Sequence, residues 1–176
     1  MIIARTNRLI LRRIKVCDAG VLLRLLNDPS YLDAIGDREV RTLEEAKDYC
    51  VTILQRFYLE HGYGLYVVEC AQTESNGPQA GAVIGLCGLV KREELDAPDL
   101  GYAYLPAYWG RGYGEEAARA VMFHARRELG LAKIFGIVRA RNIASIGLLE
   151  KLVFVPAGDY PEAPSEEPLL LFHYAF

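Results

Sequence analysis

The chain has 176 residues, of which 52% are apolar and 24% charged, with a net charge of −3. That length suits one domain over residues 1–176, hiding roughly 70% of the surface of its unfolded form. The slightly acidic balance offers no basic stripe to nucleic acid or an anionic membrane, and no apolar run approaches the ~20 residues of a bilayer span.

Met1–Arg13 alternates apolar and basic residues without the unbroken apolar core of a signal peptide, so a mature chain is expected. Within it, Asn7–Ile14 reads as a strand. Asp18 offers an N-cap to a short helix carrying Val21, Leu22, Leu25 and Leu26, which stops at Asp28-Pro29. Tyr31–Arg41 has no period and reads as a loop. Thr42 and Glu45 form a capping box, and the helix after it places Ala46, Tyr49, Cys50, Ile53 and Phe57 on one face before ending near His61-Gly62. Gly64–Ala71 and Gly81–Val90 are apolar, β-branched strands around a polar hairpin loop, Gln72–Ala80. Leu100–Leu105 is a third strand. A helix begins at about Glu115, with Ala118, Val121, Met122, Ala125 and Leu129 as its apolar stripe and Gly130 closing it. Lys133–Val138 is a strand, Asn142–Leu152 a short helix, Phe154–Tyr160 and Leu169–Phe176 further strands, and Pro161–Pro168 a loop. The sum is a mixed α/β domain. Cys17, Cys50, Cys70 and Cys87 form no CxxC and the three histidines are scattered, which points to free buried thiols in a reducing cytoplasm and to no metal.

Leu100–Ala118, LGYAYLPAYWGRGYGEEAA, is the most informative stretch. A strand ends, glycines stand at 110, 112 and 114, and a helix follows at once. The first helical amides lack intrahelical partners and the helix dipole adds positive charge there, so the combination is an anion site. The dinucleotide fingerprint would need glycine where Glu115 stands, and the Walker ending is absent.

Residues 112 and 114 fit Q/R-x-x-G-x-G/A with Trp109 in the first place, Asn7–Asp18 reads NRLILRRIKVCD, and Asn142, Ser145, Glu150, Lys151 and Phe154 fit N-x-x-S…E-K-x-G-F. In these three motifs over residues 7–154 the chain resembles the RimJ/RimL-like branch of the GNAT N-acetyltransferases. The resemblance implies a GNAT fold: a central twisted, mostly antiparallel sheet of six to seven strands with a splayed parallel pair, Leu100–Leu105 and Lys133–Val138, and about four flanking helices. It implies acetyl-CoA as co-substrate. Backbone groups near Tyr104 and Leu105 would pair with the pantetheine arm, and the amides of Arg111, Gly112, Gly114 and Glu115 would grip the pyrophosphate. Arg111 would add charge, Tyr113 packing or adenine-side cover, and Trp109 an anchor for the turn. Asn142 is both an N-cap and a group within reach of pantetheine. The family's tyrosine seven residues beyond that asparagine falls on Leu149, which cannot donate a proton, so Ser145 is the expected catalytic donor to the departing thiolate. Val153 replaces the family's glycine before Phe154.

The implied reaction is direct attack of a neutral amine on the thioester. Cys87 is the one thiol left open as an acyl carrier, and among Glu69, Glu93, Glu94 and Asp99 no general base stands out. The acceptor pocket is expected from Tyr31–Arg41, the Gly62–Tyr66 turn and Val90–Asp99. Asp37, Arg38, Glu39 and Arg41 read either as a salt-bridged lead into the helix or as a carboxylate reader. The acceptor is a peptide N-terminus, polyamine or other small amine, and a homodimer through the final strand stays open. The competing readings are a non-catalytic acyl-CoA-binding module and a structural domain whose glycine turn is only a corner.

Overall fold

The structure, a computed structural model, describes residues 1–75, 77–160 and 168–176, so most of the expected 161–168 loop lies outside the described residues. Eight strands form one sheet in the order β1-β2-β3-β4-β5-β6-β8-β7. β1 (Ile2–Arg5), β2 (Leu9–Arg12), β3 (Leu65–Cys70), β4 (Val83–Val90) and β5 (Asp99–Tyr104) pair antiparallel in turn. β6 (Lys133–Arg139) is parallel to β5, β8 (Leu169–Ala175) antiparallel to β6, and β7 (Val155–Asp159) forms the far edge. The strand beyond the expected six to seven is β1, which folds back on β2 through a turn closed by Thr6 N–H to the Leu9 carbonyl at 2.9 Å. β8 is paired on both sides, so its edge is not free for a second chain.

Helices flank both faces: α1 (Ala19–Leu26), α2 (Pro29–Ala34), α3 (Leu43–Tyr49), α4 (Arg56–His61), α5 (Tyr113–Arg127) and α6 (Ile143–Lys151). α5 covers one face, where Tyr66 of β3 meets His124 edge-on at 6.0 Å between rings. The next residue, Val67, points the other way by strand alternation, toward Leu22 and Leu25 of α1. No helix among the described residues is long and apolar enough to cross a membrane.

Three local expectations change. Asp18 does not cap α1: a 3₁₀ turn over Val16–Asp18 precedes the helix, and the carboxylate instead accepts from Lys15 N–H (2.8 Å) and from both terminal nitrogens of Arg12 (2.8 and 2.9 Å). Asp28-Pro29 not only stops α1 but starts α2, because Asp28 accepts from Ser30 N–H at 2.9 Å and Pro29 needs no partner at the first helical position. The capping box of Thr42 and Glu45 forms as expected, but a π-helical turn, Cys50–Gln55, joins α3 to α4. The wider turn shifts the inward face onto Ala46, Cys50, Leu54 and Tyr58, and leaves Ile53 46% exposed.

Candidate active site

The glycine turn is built as a cradle. After β5 a 3₁₀ turn, Pro106–Tyr108, leads to Trp109, whose indole N–H donates to the Tyr104 carbonyl at 2.8 Å and ties the turn to the strand end. Gly110 (φ 71°) and Gly112 (φ 78°) occupy the left-handed region, which β-carbons disfavour. α5 starts at Tyr113, two residues before the expected Glu115, and no side chain caps it. Its first amides therefore keep unused donors. Arg8 braces the turn from the β1–β2 hairpin: it donates to the Arg111 carbonyl at 2.9 Å, pairs with Glu116 at 2.7 Å and lies over the Tyr113 ring at 4.7 Å. Glu116 also accepts from Thr6 at 2.6 Å. Burial opposes its charge, but these donors hold the Glu116 carboxyl below its ordinary range. Glu115 is paired with Arg119 at 2.9 Å, so neither acid of the first turn is left to repel an anion.

β5 and β6 pair in register only at Asp99 and Phe135, with Phe135 N–H bonded to the Pro98 carbonyl at 2.9 Å, and then diverge. Leu105 N–H bonds the Ile84 carbonyl of β4 at 3.0 Å. By antiparallel alternation the main-chain groups of Tyr102 and Tyr104 face the opposite way, into the gap. A cavity of about 560 Å³ fills it, walled by Tyr102, Tyr104, Gly112, Gly114, Asn142 and Ser145 among others. A second, of about 590 Å³, lies toward α3 and α4 and shares Tyr31, Tyr102, Arg139, Asn142 and Ser145, among others, with the first. α2 roofs this junction, held there by Arg139 donating to the Ala34 carbonyl (3.0 Å) and by the Arg141–Asp33 ion pair (2.8 Å).

Residues 8–155 match the acetyltransferase (GNAT) domain family. The chain belongs to the GNAT acetyltransferases. It is similar to the "uncharacterized N-acetyltransferase p20" of Bacillus licheniformis, at 27% identity over 162 residues, covering 90% of this chain and 86% of that protein. It is also similar to the FsC-acetyl coenzyme A-N(2)-transacetylase of Aspergillus fumigatus, at 40% identity over 123 residues, covering 70% of this chain but 52% of that one. Among solved structures, RimL ribosomal L7/L12 α-N-protein acetyltransferase in complex with coenzyme A superposes with a TM-score of 0.83 at 18% identity, covering 100% and 98% of the two chains.

In this GNAT domain the junction gathers hydroxyls. Asn142 caps α6, accepting from Ser145 N–H at 3.1 Å, so the cap expected from the sequence is present. Ser145 stands on the walls of both cavities, and the Tyr102 hydroxyl donates to its carbonyl at 3.4 Å. Burial pushes Tyr102 up to about 12, which keeps it protonated. Tyr102 is absent from the sequence-based site. Its signal was its place two residues before Tyr104, which strand alternation puts on the same face.

Tyr104, Gly112, Tyr113, Gly114, Asn142 and Ser145 border the first cavity, whereas Leu105, Arg111 and Glu115 are not among its walls. The Tyr113 ring is 1% exposed and packs in the core, so packing, rather than adenine cover, is what its side chain does. Leu149 is equally buried, with its methyls where a β-carbon on Gly136 would come within 2.8 Å. Cys87 is no acyl carrier: it is fully buried and burial pushes its thiol up to about 12. Of the acids weighed as bases, Glu69 is bound to Arg12 at 2.7 Å and Glu93 and Glu94 are exposed outside both cavities. Asp99 alone of the four reaches a cavity wall, 3% exposed and paired with Arg92 at 2.9 Å. Burial raises its carboxyl above the ordinary range despite Arg92. The three segments expected around the acceptor do meet in the second cavity, joined by Tyr49, Leu54 and Phe57 from the helix that follows.

Proposed function

We propose that residues 1–176 act as one cytoplasmic N-acetyltransferase domain that moves an acetyl group from acetyl-CoA to a primary amine, a peptide N-terminus or other small amine. The observation that carries this reading is the pair of cavities meeting at Tyr102, Asn142 and Ser145, one of them running to a glycine turn at an uncapped helix start.

Coenzyme A fits the first cavity on three counts. The glycine turn lets a diphosphate approach the amides of Gly112 and Gly114 on the cavity wall. The Tyr102 and Tyr104 main chains have gap-facing groups for an extended amide-bearing arm. The remaining wall is largely apolar, including Tyr108, Ile143 and Leu148. Acetyl-CoA supplies the activated acyl carbon. The amine nitrogen attacks that carbon, the C–S bond breaks, the thiolate takes a proton, and the acylated nitrogen releases one to solvent. Ser145 is the donor to sulfur in this scheme, with Tyr102 beside it.

No strong base is required for an α-amine, which at pKa 7.7–8.0 is neutral roughly a quarter of the time near pH 7.4, against about one part in a thousand for a lysine amine. Asp99 does not take this proton directly: three residues of β5 separate it from Tyr102, about 10 Å at strand rise. Water does.

The test follows CoA release from acetyl-CoA across peptides, amino acids and polyamines, with wild type and Ser145→Ala. Turnover of at least one amine is expected, and loss of the serine should lower kcat about a hundredfold with the affinity for CoA unchanged. Silence across all amines would remove the reaction, and an unaltered variant would remove Ser145 from it.

A further inference from the structure

The described walls of the second cavity have a charge balance opposite to that of the chain. Among the described residues, Arg38, Lys91 and Arg92 stand in its wall against a single carboxylate, Asp99, with Arg139 already engaged at the Ala34 carbonyl, whereas the whole protein carries −3. Apart from Asn142 and Ser145 at the junction, the rest of the described wall is apolar or aromatic, including Tyr49, Phe57 and Tyr160. Asp99 is already committed to Arg92. Lys91 reaches two carbonyl oxygens, of Arg92 (2.7 Å) and Leu95 (3.2 Å), which hold its ammonium in place without cancelling its charge. Arg38 lies against the hydroxyl of Tyr31, at the junction roof, with Tyr49 nearby, and no carboxylate among the described residues acts on it. Of its acidic neighbours in the sequence, Asp37 pairs with Arg41 and Glu39 is not among the described walls of the cavity. The run Ile35–Thr42 thus divides, with Arg41 fastening the loop and Arg38 turned to the cavity.

A polyamine or aminoglycoside would meet this wall with like charges, which costs affinity. An anion would be paired and partly desolvated. The cations are also placed at a readable distance: Lys91 and Arg92 sit beside Asp99, about three strand residues, or ~10 Å, from the junction at Tyr102 and Ser145.

Resting on the transferase reading above, we infer that the acceptor is an amine that also bears an anionic group about 10 Å from the reacting nitrogen, with an apolar or aromatic body between. Three extended residues of peptide span that distance, so a tripeptide with a free carboxylate is the matching probe. The amine enters at the junction, the body lies along Tyr49 and Phe57, and the carboxylate meets the Lys91–Arg92 end.

The experiment compares kcat/KM for Ala-Ala-Phe, its C-terminal amide and spermidine, by CoA release, with binding of CoA followed separately by thermal shift. The free acid should exceed the amide by at least about tenfold, the scale of one charge-assisted hydrogen bond, and spermidine should be the poorest. Lys91→Gln should bring the acid-to-amide ratio toward one while CoA still protects against heating. The wild-type ratio stands as the test even if a variant fails to fold. An amide as good as the acid, a preference for spermidine, or no turnover of the tripeptide by a protein that binds CoA overturns this inference alone. Absence of any CoA protection overturns the transferase reading together with it.

Discussion

Val153→Gly should stabilise the protein. Val153 adopts φ 65°, one of only two non-glycine residues of positive φ among those described, in the turn where α6 gives way to β7. For a β-branched residue this is strained, at a cost of order 1–3 kcal/mol. Glycine removes that strain but returns about 0.4–1 kcal/mol through the entropy of the unfolded chain. The valine is 67% exposed, so only about a third of its side-chain burial is forfeited, roughly 0.5–1 kcal/mol. The balance at mid-range is about 0.5 kcal/mol in favour of the folded state, or an increase in Tm of about 1–2 °C for a chain of this size. Thermal unfolding of the ligand-free protein, followed by circular dichroism, measures it. An unchanged or lowered Tm would show that the turn is not strained as the backbone geometry implies.

Two further outcomes follow from the ion pairs. Arg8→Ala breaks the contacts to Glu116 and to the Arg111 carbonyl, and should cost about 1.5–3 kcal/mol in denaturant unfolding while weakening CoA in calorimetric titration; a variant equally stable and equally tight would separate Arg8 from the glycine turn. Asp18 and Glu116 are both held below their ordinary range, Asp18 against its burial by Arg12 and Lys15 and Glu116 against its burial by Thr6 and Arg8. Their stabilisation is complete above the unfolded-state values and fades as pH falls through about 4.5 toward the folded-state values. Asp99 works in the opposite sense. Urea midpoints should therefore fall on acidification below that pH, and Asp18→Asn should flatten the decline; an identical pH profile in that variant would contradict the assignment.

What the sequence makes legible is local or periodic. The strand, glycine turn and helix of Leu100–Ala118 announce themselves because each step has a backbone requirement, and the caps at Thr42 and Asn142 because a polar side chain must face the first amides. What stays hidden depends on partners far along the chain. The clasp of Arg8 on Glu116 spans 108 residues. Tyr102 looks like one more strand aromatic until α6 sets Ser145 beside its hydroxyl. The π-helical turn leaves the composition of residues 43–61 that of an ordinary amphipathic helix, yet moves Ile53 outward and Leu54 inward. Asp28-Pro29 serves two helices at once, and a stop signal conceals the start. The charge of the described walls of the second cavity is likewise invisible in order, since Arg38 and Lys91 come from segments more than fifty residues apart.

The most direct measurement titrates coenzyme A into wild type and Gly112→Asp by calorimetry. A β-carbon at position 112 meets only the end of Arg8, at 3.4 Å, so the fold has room for the side chain, and aspartate tolerates the left-handed backbone better than most residues. A carboxylate about 4 Å from a diphosphate oxygen costs ~1–4 kcal/mol between the limits of bulk water and a protein surface. Wild type should bind, and the folded variant should bind at least about tenfold more weakly. Equal affinity in the two proteins would mean that the diphosphate does not rest on this turn.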